Sequence, residues 1–118
     1  LSLGEGFRAN VRRSGRAGCP CDGNVLGRTR WLARDLARGC PEVRFVLDHC
    51  GTPDIAGGAF DAWRAGLREV AACGNVVVKL SGLSAYAAPG GATWEGLRPW
   101  IEEVLAVFGP SRMVWGSD

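Results

Sequence analysis

No long apolar run exists in this 118-residue chain, whose hydrophobic stretches are short and broken by Arg, Asp or Gly. A bilayer span needs ~18 to 20 consecutive apolar residues, so a membrane-spanning helix is excluded. Lysine is almost missing as well, with Lys79 alone among fourteen basic residues. Residues 1–40 carry eight Arg against Glu5, Asp22 and Asp35, while residues 41–118 carry six basic against nine acidic side chains. The Arg-rich front has no aromatic residue between Phe7 and Trp31. A single-strand or RNA site interleaves Arg with aromatic stacking platforms, so no nucleic-acid partner is expected.

Paired cysteine motifs are absent too. Cys19, Cys21, Cys40, Cys50 and Cys73 are odd in number and contain no CxxC. That pattern suits free thiols in a reducing compartment, and a cytoplasmic location is expected. Cys19-Pro20-Cys21 has neither a second pair nor a nearby His to complete a metal site, and reads as surface or half-buried thiols. No GxGxxG follows a strand, and neither GxxxxGK[ST] nor GxSxG occurs. Nucleotide binding is disfavoured, and an α/β serine hydrolase would have no nucleophile. Leu1-Ser2-Leu3-Gly4-Glu5-Gly6 has no Met and no apolar h-region, so there is no secretory signal to read. Trp115-Gly116-Ser117-Asp118 follows an apolar run with no polar tail, and both ends are expected to continue into a longer protein.

What is present is a rhythm. The chain is 47% hydrophobic, enough for one packed core and not for two. From residue 41 onward, short β-branched segments alternate with segments of helical period. Val43–Asp48, Asn75–Leu80 and Arg112–Trp115 read as strands, and their nearly continuous apolar character suits strands buried on both faces of a parallel sheet. Phe60, Trp63, Leu67 and Val70 recur at helical spacing, as do Leu97, Trp100, Ile101, Val104, Leu105 and Phe108. Gly74 and Gly109-Pro110 supply the stops. Before residue 41, Arg28–Arg38 reads as a helix with Trp31, Leu32 and Leu36 inward, and Val25-Leu26 is the one strand candidate.

Connections from strand to helix are long and those from helix to strand are short. In parallel βα architectures, function gathers in the loops after the strand C-termini, so chemistry is expected just after Leu47, Leu80 and Trp115. Asp48-His49 ends the first strand with the only His of the chain. On period-2 alternation His49 shares a face with Phe45 and Leu47. At the rim it is placed to bind a metal or a substrate oxygen, or simply to hydrogen-bond a loop. Asp118 ends the third strand and suits a general base or cation ligand, or equally an N-cap for a following helix. Lys79 and Ser81 share one face of the second strand. Lys79 suits an anionic substrate or an acid partner such as Asp48.

These residues carry a resemblance. Phe45-Val46-Leu47-Asp48-His49-Cys50-Gly51-Thr52-Pro53-Asp54-Ile55, then Asn75-Val76-Val77-Val78-Lys79-Leu80-Ser81-Gly82-Leu83, then Phe108 through Asp118 with its Met113-Val114-Trp115-Gly116-Ser117-Asp118 end, together resemble the amidohydrolase-related family. This is the branch of TIM-barrel hydrolases that includes sugar-lactone and dicarboxylate lactonases. A complete barrel takes roughly 250 residues. The resemblance therefore implies an α/β fold, a partial (β/α)8 TIM barrel corresponding to the C-terminal half, with residues 1–118 as one partial domain. Residues 41–118 match well and residues 1–40 poorly, for Gly18-Cys19-Pro20-Cys21-Asp22-Gly23 stands where the family has an apolar strand. His49 would end barrel strand six and Asp118 strand eight.

The function implied is water attack on a lactone or similar ester of a small-molecule substrate. Asp118 is the implied general base and His49 the implied polarising or metal-binding residue. The implied cofactor is a divalent metal, Zn or Mn, with His49 and Asp118 among its ligands; metal-independent catalysis is the other implied form. The family's first-strand HxH is not in this chain, so it carries at best half of a metal site. A decarboxylase of the same superfamily and a non-catalytic barrel fragment are the alternatives. The isolated chain is expected to be inactive and, with two open sheet edges, prone to self-pairing.

Overall fold

Each β-branched run read from the sequence lies on a strand of one parallel sheet. The computed structural model describes residues 4–23 and 30–118. In chain order it contains α1 (Glu5–Arg16), β1 (Cys21–Gly23), α2 (Arg30–Gly39), β2 (Phe45–Leu47), α3 (Phe60–Ala71) and β3 (Val76–Leu80). A single turn α4 (Leu83–Tyr86), then α5 (Trp94–Phe108) and β4 (Met113–Trp115), complete it. The strands pair in chain order, β1-β2-β3-β4, all parallel. This is an open α/β arc.

The strands are buried on one face rather than both. Phe45, Leu47, Val76 and Val78 are buried, while Val46 and Val77 between them are only half-buried. The difference follows from the arc: helices cover its outer face, and the inner face fronts an open space. On the helix side, α3 inserts Trp63, Leu67 and Val70, and α5 inserts Trp100, Val104 and Phe108. Trp63 and Trp100 meet at 4.9 Å between ring centroids, with Phe60 edge-on to Trp100 at 5.0 Å. Each such side chain contributes about 1.5 to 3 kcal/mol through burial, which makes this cluster the anchor of the α3–α5 layer. The Trp63 indole N–H also donates to the Cys50 carbonyl at 2.8 Å, tying the layer to the turn after β2. Glu103 receives Arg64 at 3.2 Å and Arg68 at 2.8 Å across the same interface.

Two polar side chains close the end opposite the strand C-termini. Asn75 Nδ2 lies within hydrogen-bond distance of the Ala37, Cys40 and Val43 carbonyls, at 3.1, 3.2 and 2.9 Å. Arg112 donates to the Ala71, Cys73 and Val76 carbonyls at 2.9, 3.2 and 3.3 Å. Its guanidinium also stacks over Phe108 at 5.1 Å. Helix C-termini leave carbonyls without partners, and these two residues satisfy them, so the helix-to-strand connections can be short.

The front of the chain differs from its reading. Residues 5–16 form a helix with Val11 as its one buried residue, so no apolar stripe announces it. Arg12 fixes it by donating to the Gly39 carbonyl of α2 at 2.7 Å. The strand of this region is Cys21–Gly23, aligned by Cys21 N–H to the Arg44 carbonyl at 2.9 Å. Val25-Leu26 lies outside the described residues. The expected helix is α2, but Trp31 points outward and is 44% exposed, while Leu36 and Ala37 face the core.

Candidate functional site at the strand C-termini

The polar residues of the inner face gather at one rim. Strand pairing sets Leu47 beside Val78 and Leu80 beside Trp115, so Asp48 and Lys79 stand abreast, with Ser81 and Gly116 one step further on. After Asp48 the chain turns sharply: His49 and Cys50 both take left-handed backbone, at φ 48° and 54°. Such conformations cost about 1 to 3 kcal/mol each and cluster at functional sites. His49 is therefore not on the strand face of Phe45 and Leu47; the turn buries Cys50 beneath and lifts the imidazole onto the rim. Burial pushes the Cys50 thiol up to about 12, which leaves it protonated and unreactive at neutral pH.

His49 is held between two side chains from the other strands. Its Nδ1 is 2.8 Å from Ser81 Oγ, and its Nε2 is 3.8 Å from Asp118 Oδ1. Ser81 is buried, and Asp118 is partly open to solvent. Gly82, at φ +68°, passes directly beneath: a Cβ there would stand 2.8 Å from His49 Nδ1 and 3.0 Å from Asp118 Oδ2. Gly116 leaves similar room for Lys79 and Ser81. The two glycines are what let the three strand ends converge.

Deeper on the same face, Lys79 Nζ approaches Asp48 Oδ1 at 3.2 Å. Of the two readings open for Lys79, the acid partner is the one found. The pairing with Asp48 raises the Lys79 ammonium above its ordinary range. Asp48 Oδ1 is fully enclosed and receives no well-directed hydrogen bond. Asp22 of β1 belongs to this group: burial first, then its hydrogen bond to Asp48 and the repulsion from it, raise its carboxyl. Tyr86, at the end of α4, sets its ring edge-on to His49 with centroids 6.4 Å apart. Burial first, then the charges of Asp118, Asp48 and Cys50, raise its phenol.

Comparison with known proteins decides the family. The amidohydrolase family model matches residues 2–118. The chain belongs to the amidohydrolase family. It is 43% identical over 83 residues to an L-fucono-1,5-lactonase of Burkholderia ambifaria, covering 70% of this chain and 28% of that protein. A crystal structure of an amidohydrolase from Burkholderia multivorans with bound zinc superposes at a TM-score of 0.88 and 33% identity, covering 98% of this chain and 43% of that one. A putative 2-pyrone-4,6-dicarboxylic acid hydrolase from Pseudomonas putida superposes at 0.81 and 26% identity, covering 98% and 42%. The amidohydrolase chain thus spans 28% to 43% of the length of these relatives. Its four parallel strands with alternating helices are a partial (β/α)8 barrel.

Its His49 and Asp118 converge on one point of the rim, as their places at strand ends require. Metal–nitrogen and metal–oxygen bonds are about 2.0 to 2.2 Å for zinc, so donors 3.8 Å apart can touch one ion. Among the described residues no group of three or more His, Cys, Asp or Glu is arranged for a metal; His49 and Asp118 by themselves are two donors. Asp22 and Tyr86 were missed in the sequence. Asp22 sits on a strand without an apolar signal, and Tyr86 on a helix of one turn that has no period to read. Among the described residues no helix is long and apolar enough to cross a membrane.

Proposed function

We propose that this chain supplies the water-activating half of a lactonase site, with Asp118 as general base and His49 as the residue that polarises the ester. The observation that carries this reading is the placement of His49. Ser81 occupies Nδ1 at 2.8 Å, and Nε2 faces Asp118 at 3.8 Å. That leaves one imidazole nitrogen and one carboxylate oxygen around a shared space at the barrel rim. The lactonase relative supports a cyclic ester as the small-molecule substrate.

In this reading the Asp118 carboxylate takes a proton from a water as its oxygen attacks the lactone carbonyl carbon. With Ser81 donating to Nδ1, Nε2 carries the hydrogen and donates to the carbonyl oxygen. When the tetrahedral intermediate collapses, the ring C–O bond breaks and Asp118 returns the proton to the leaving alkoxide, giving a hydroxy acid. A divalent cation, where bound, would supply Lewis-acid polarisation of that carbonyl in place of the His49 N–H; His49 through an unprotonated Nε2, its Nδ1 then donating to Ser81, and Asp118 are the residues of this chain that would hold it. The free state of all five cysteines supports a reducing, cytoplasmic setting.

The test is a panel of sugar-acid lactones against the full-length protein carrying this chain, beside Asp118→Asn and His49→Asn. Ring opening to a hydroxy acid, with kcat lowered at least ~100-fold in each variant, is the expected result. Release of carbon dioxide would assign the decarboxylase chemistry instead. Binding without turnover would assign the non-catalytic reading.

A further inference from the structure

Rim donors are few, and most are engaged. Lys79 is paired with Asp48 at 3.2 Å, and Ser81 with His49 Nδ1 at 2.8 Å. The Tyr86 hydroxyl is the exception: it makes no hydrogen bond with the described residues. Its hydroxyl is therefore open to a ligand. The ring stands at 68° to the His49 imidazole with centroids 6.4 Å apart, and the Tyr86 backbone carbonyl accepts the Ala56 N–H at 2.9 Å. That bond ties the loop after β2 to the turn after β3. The place beside His49 and the donor left uncommitted to the described residues make this hydroxyl available to a ligand at the rim.

The chemistry of that ligand follows from the neighbours. The charges of Asp118 and Asp48 reach the phenol, so an anionic ligand there is disfavoured and a neutral acceptor is favoured. Charge developing on that acceptor is tolerated because Asp118 loses its own charge as it takes the proton from water. The carbonyl oxygen of an ester is such an acceptor, neutral until it becomes an oxyanion when water adds. Burial and the charges of Asp118 and Asp48 raise the Tyr86 phenol, so it is a donor throughout the neutral range.

We propose that Tyr86 is a further catalytic residue, its hydroxyl donating to the ester carbonyl oxygen alongside His49 as that oxygen takes on negative charge. The proposal rests on the lactonase reading given above. No proton is transferred by Tyr86; the hydrogen bond strengthens on attack and relaxes on collapse.

Tyr86→Phe in the full-length protein tests it, because Phe fills the same space and keeps the ring contact with His49. The expected result is kcat lowered on the order of 100-fold with KM little changed and an unaltered thermal melt. A Tyr86→Phe enzyme with wild-type kcat overturns the proposal while leaving the lactonase reading in place. A loss confined to KM also overturns it, since the hydroxyl would then bind the ground state only. A wild-type protein that opens no lactone overturns both.

Discussion

Ser81 Oγ stands 2.8 Å from His49 Nδ1, and Ser81 is buried just past the third strand while His49 perches on a left-handed turn after the second. A buried hydroxyl of this kind chooses which imidazole nitrogen faces the reacting space. Ser81→Ala is expected to lower kcat about 10- to 100-fold, the range seen when the partner orienting a functional His is removed. In a His49→Asn background the same change is expected to have little further effect, because the two residues act as a unit. Steady-state kinetics on the four proteins of that cycle provide the check; additive losses would show that Ser81 acts elsewhere.

Gly82 is expected to tolerate no side chain. Its backbone is left-handed, and a Cβ would press on His49 Nδ1 at 2.8 Å and Asp118 Oδ2 at 3.0 Å. The conformational penalty for alanine is about 1 to 2 kcal/mol, a cost most folds survive. The displacement falls on the two residues that must converge, so Gly82→Ala should lose activity far more than stability. A melt and a turnover measurement on the same preparation separate the two. Activity loss no greater than the loss of folded protein would contradict this account.

How much of this was readable in the chain depends on the signal each element carries. β3 and α3 were legible because Val76-Val77-Val78 and Phe60, Trp63, Leu67, Val70 bury side chains at the periods of a strand and a helix. α1 was not, because it buries only Val11 and is held by Arg12 to a carbonyl of α2, a contact between segments far apart in sequence. β1 is three residues without a β-branched side chain, and its place comes from pairing with β2. His49 and Asp118 were legible as strand-end residues. The left-handed turn that takes His49 off its strand face was not: His tolerates positive φ better than most residues, but nothing local in Asp48-His49-Cys50 requires it. Tertiary pairing decides it: Cys50 packs inward and its Sγ meets the Lys79 carbonyl at 3.5 Å.

Asp22 carries a pH dependence of definite sign. Although Asp22 is exposed on β1, partial desolvation and Asp48 raise its carboxyl in the folded chain, with Lys79 opposing. A group whose folded pKa lies above its unfolded value contributes stability that is complete below the unfolded value, near pH ~4 for aspartate, and lost as pH rises through the folded one. At neutral pH the ionised Asp22 therefore subtracts from stability. Asp22→Asn is expected to raise Tm at pH 7, with the advantage shrinking to nothing below pH ~4. Thermal melts across that window decide it, and a lower Tm for Asp22→Asn at neutral pH would mean that Lys79 outweighs Asp48.

The open edges of the arc predict how the 118-residue chain behaves by itself. Among the described residues β1 pairs only with β2 and β4 only with β3, so each outer edge presents unpaired backbone groups. At the β4 edge Trp115 is 77% exposed and Val114 46%, an apolar pair on a strand that has half of its hydrogen bonds unmade. Bare edges of this kind template pairing with other chains. Here both edges belong to parallel strands with the same direction, so β4 of one copy can add to β1 of another without reversing the sheet. We expect the isolated chain to self-associate with increasing concentration and to show no lactone hydrolysis, since the other strand ends of the barrel are supplied by neither copy. Trp115→Lys places a charge on that edge and should shift the population toward monomer. Sedimentation over a concentration series reads both effects, and a monomeric wild-type chain that melts cooperatively would refute the edge argument.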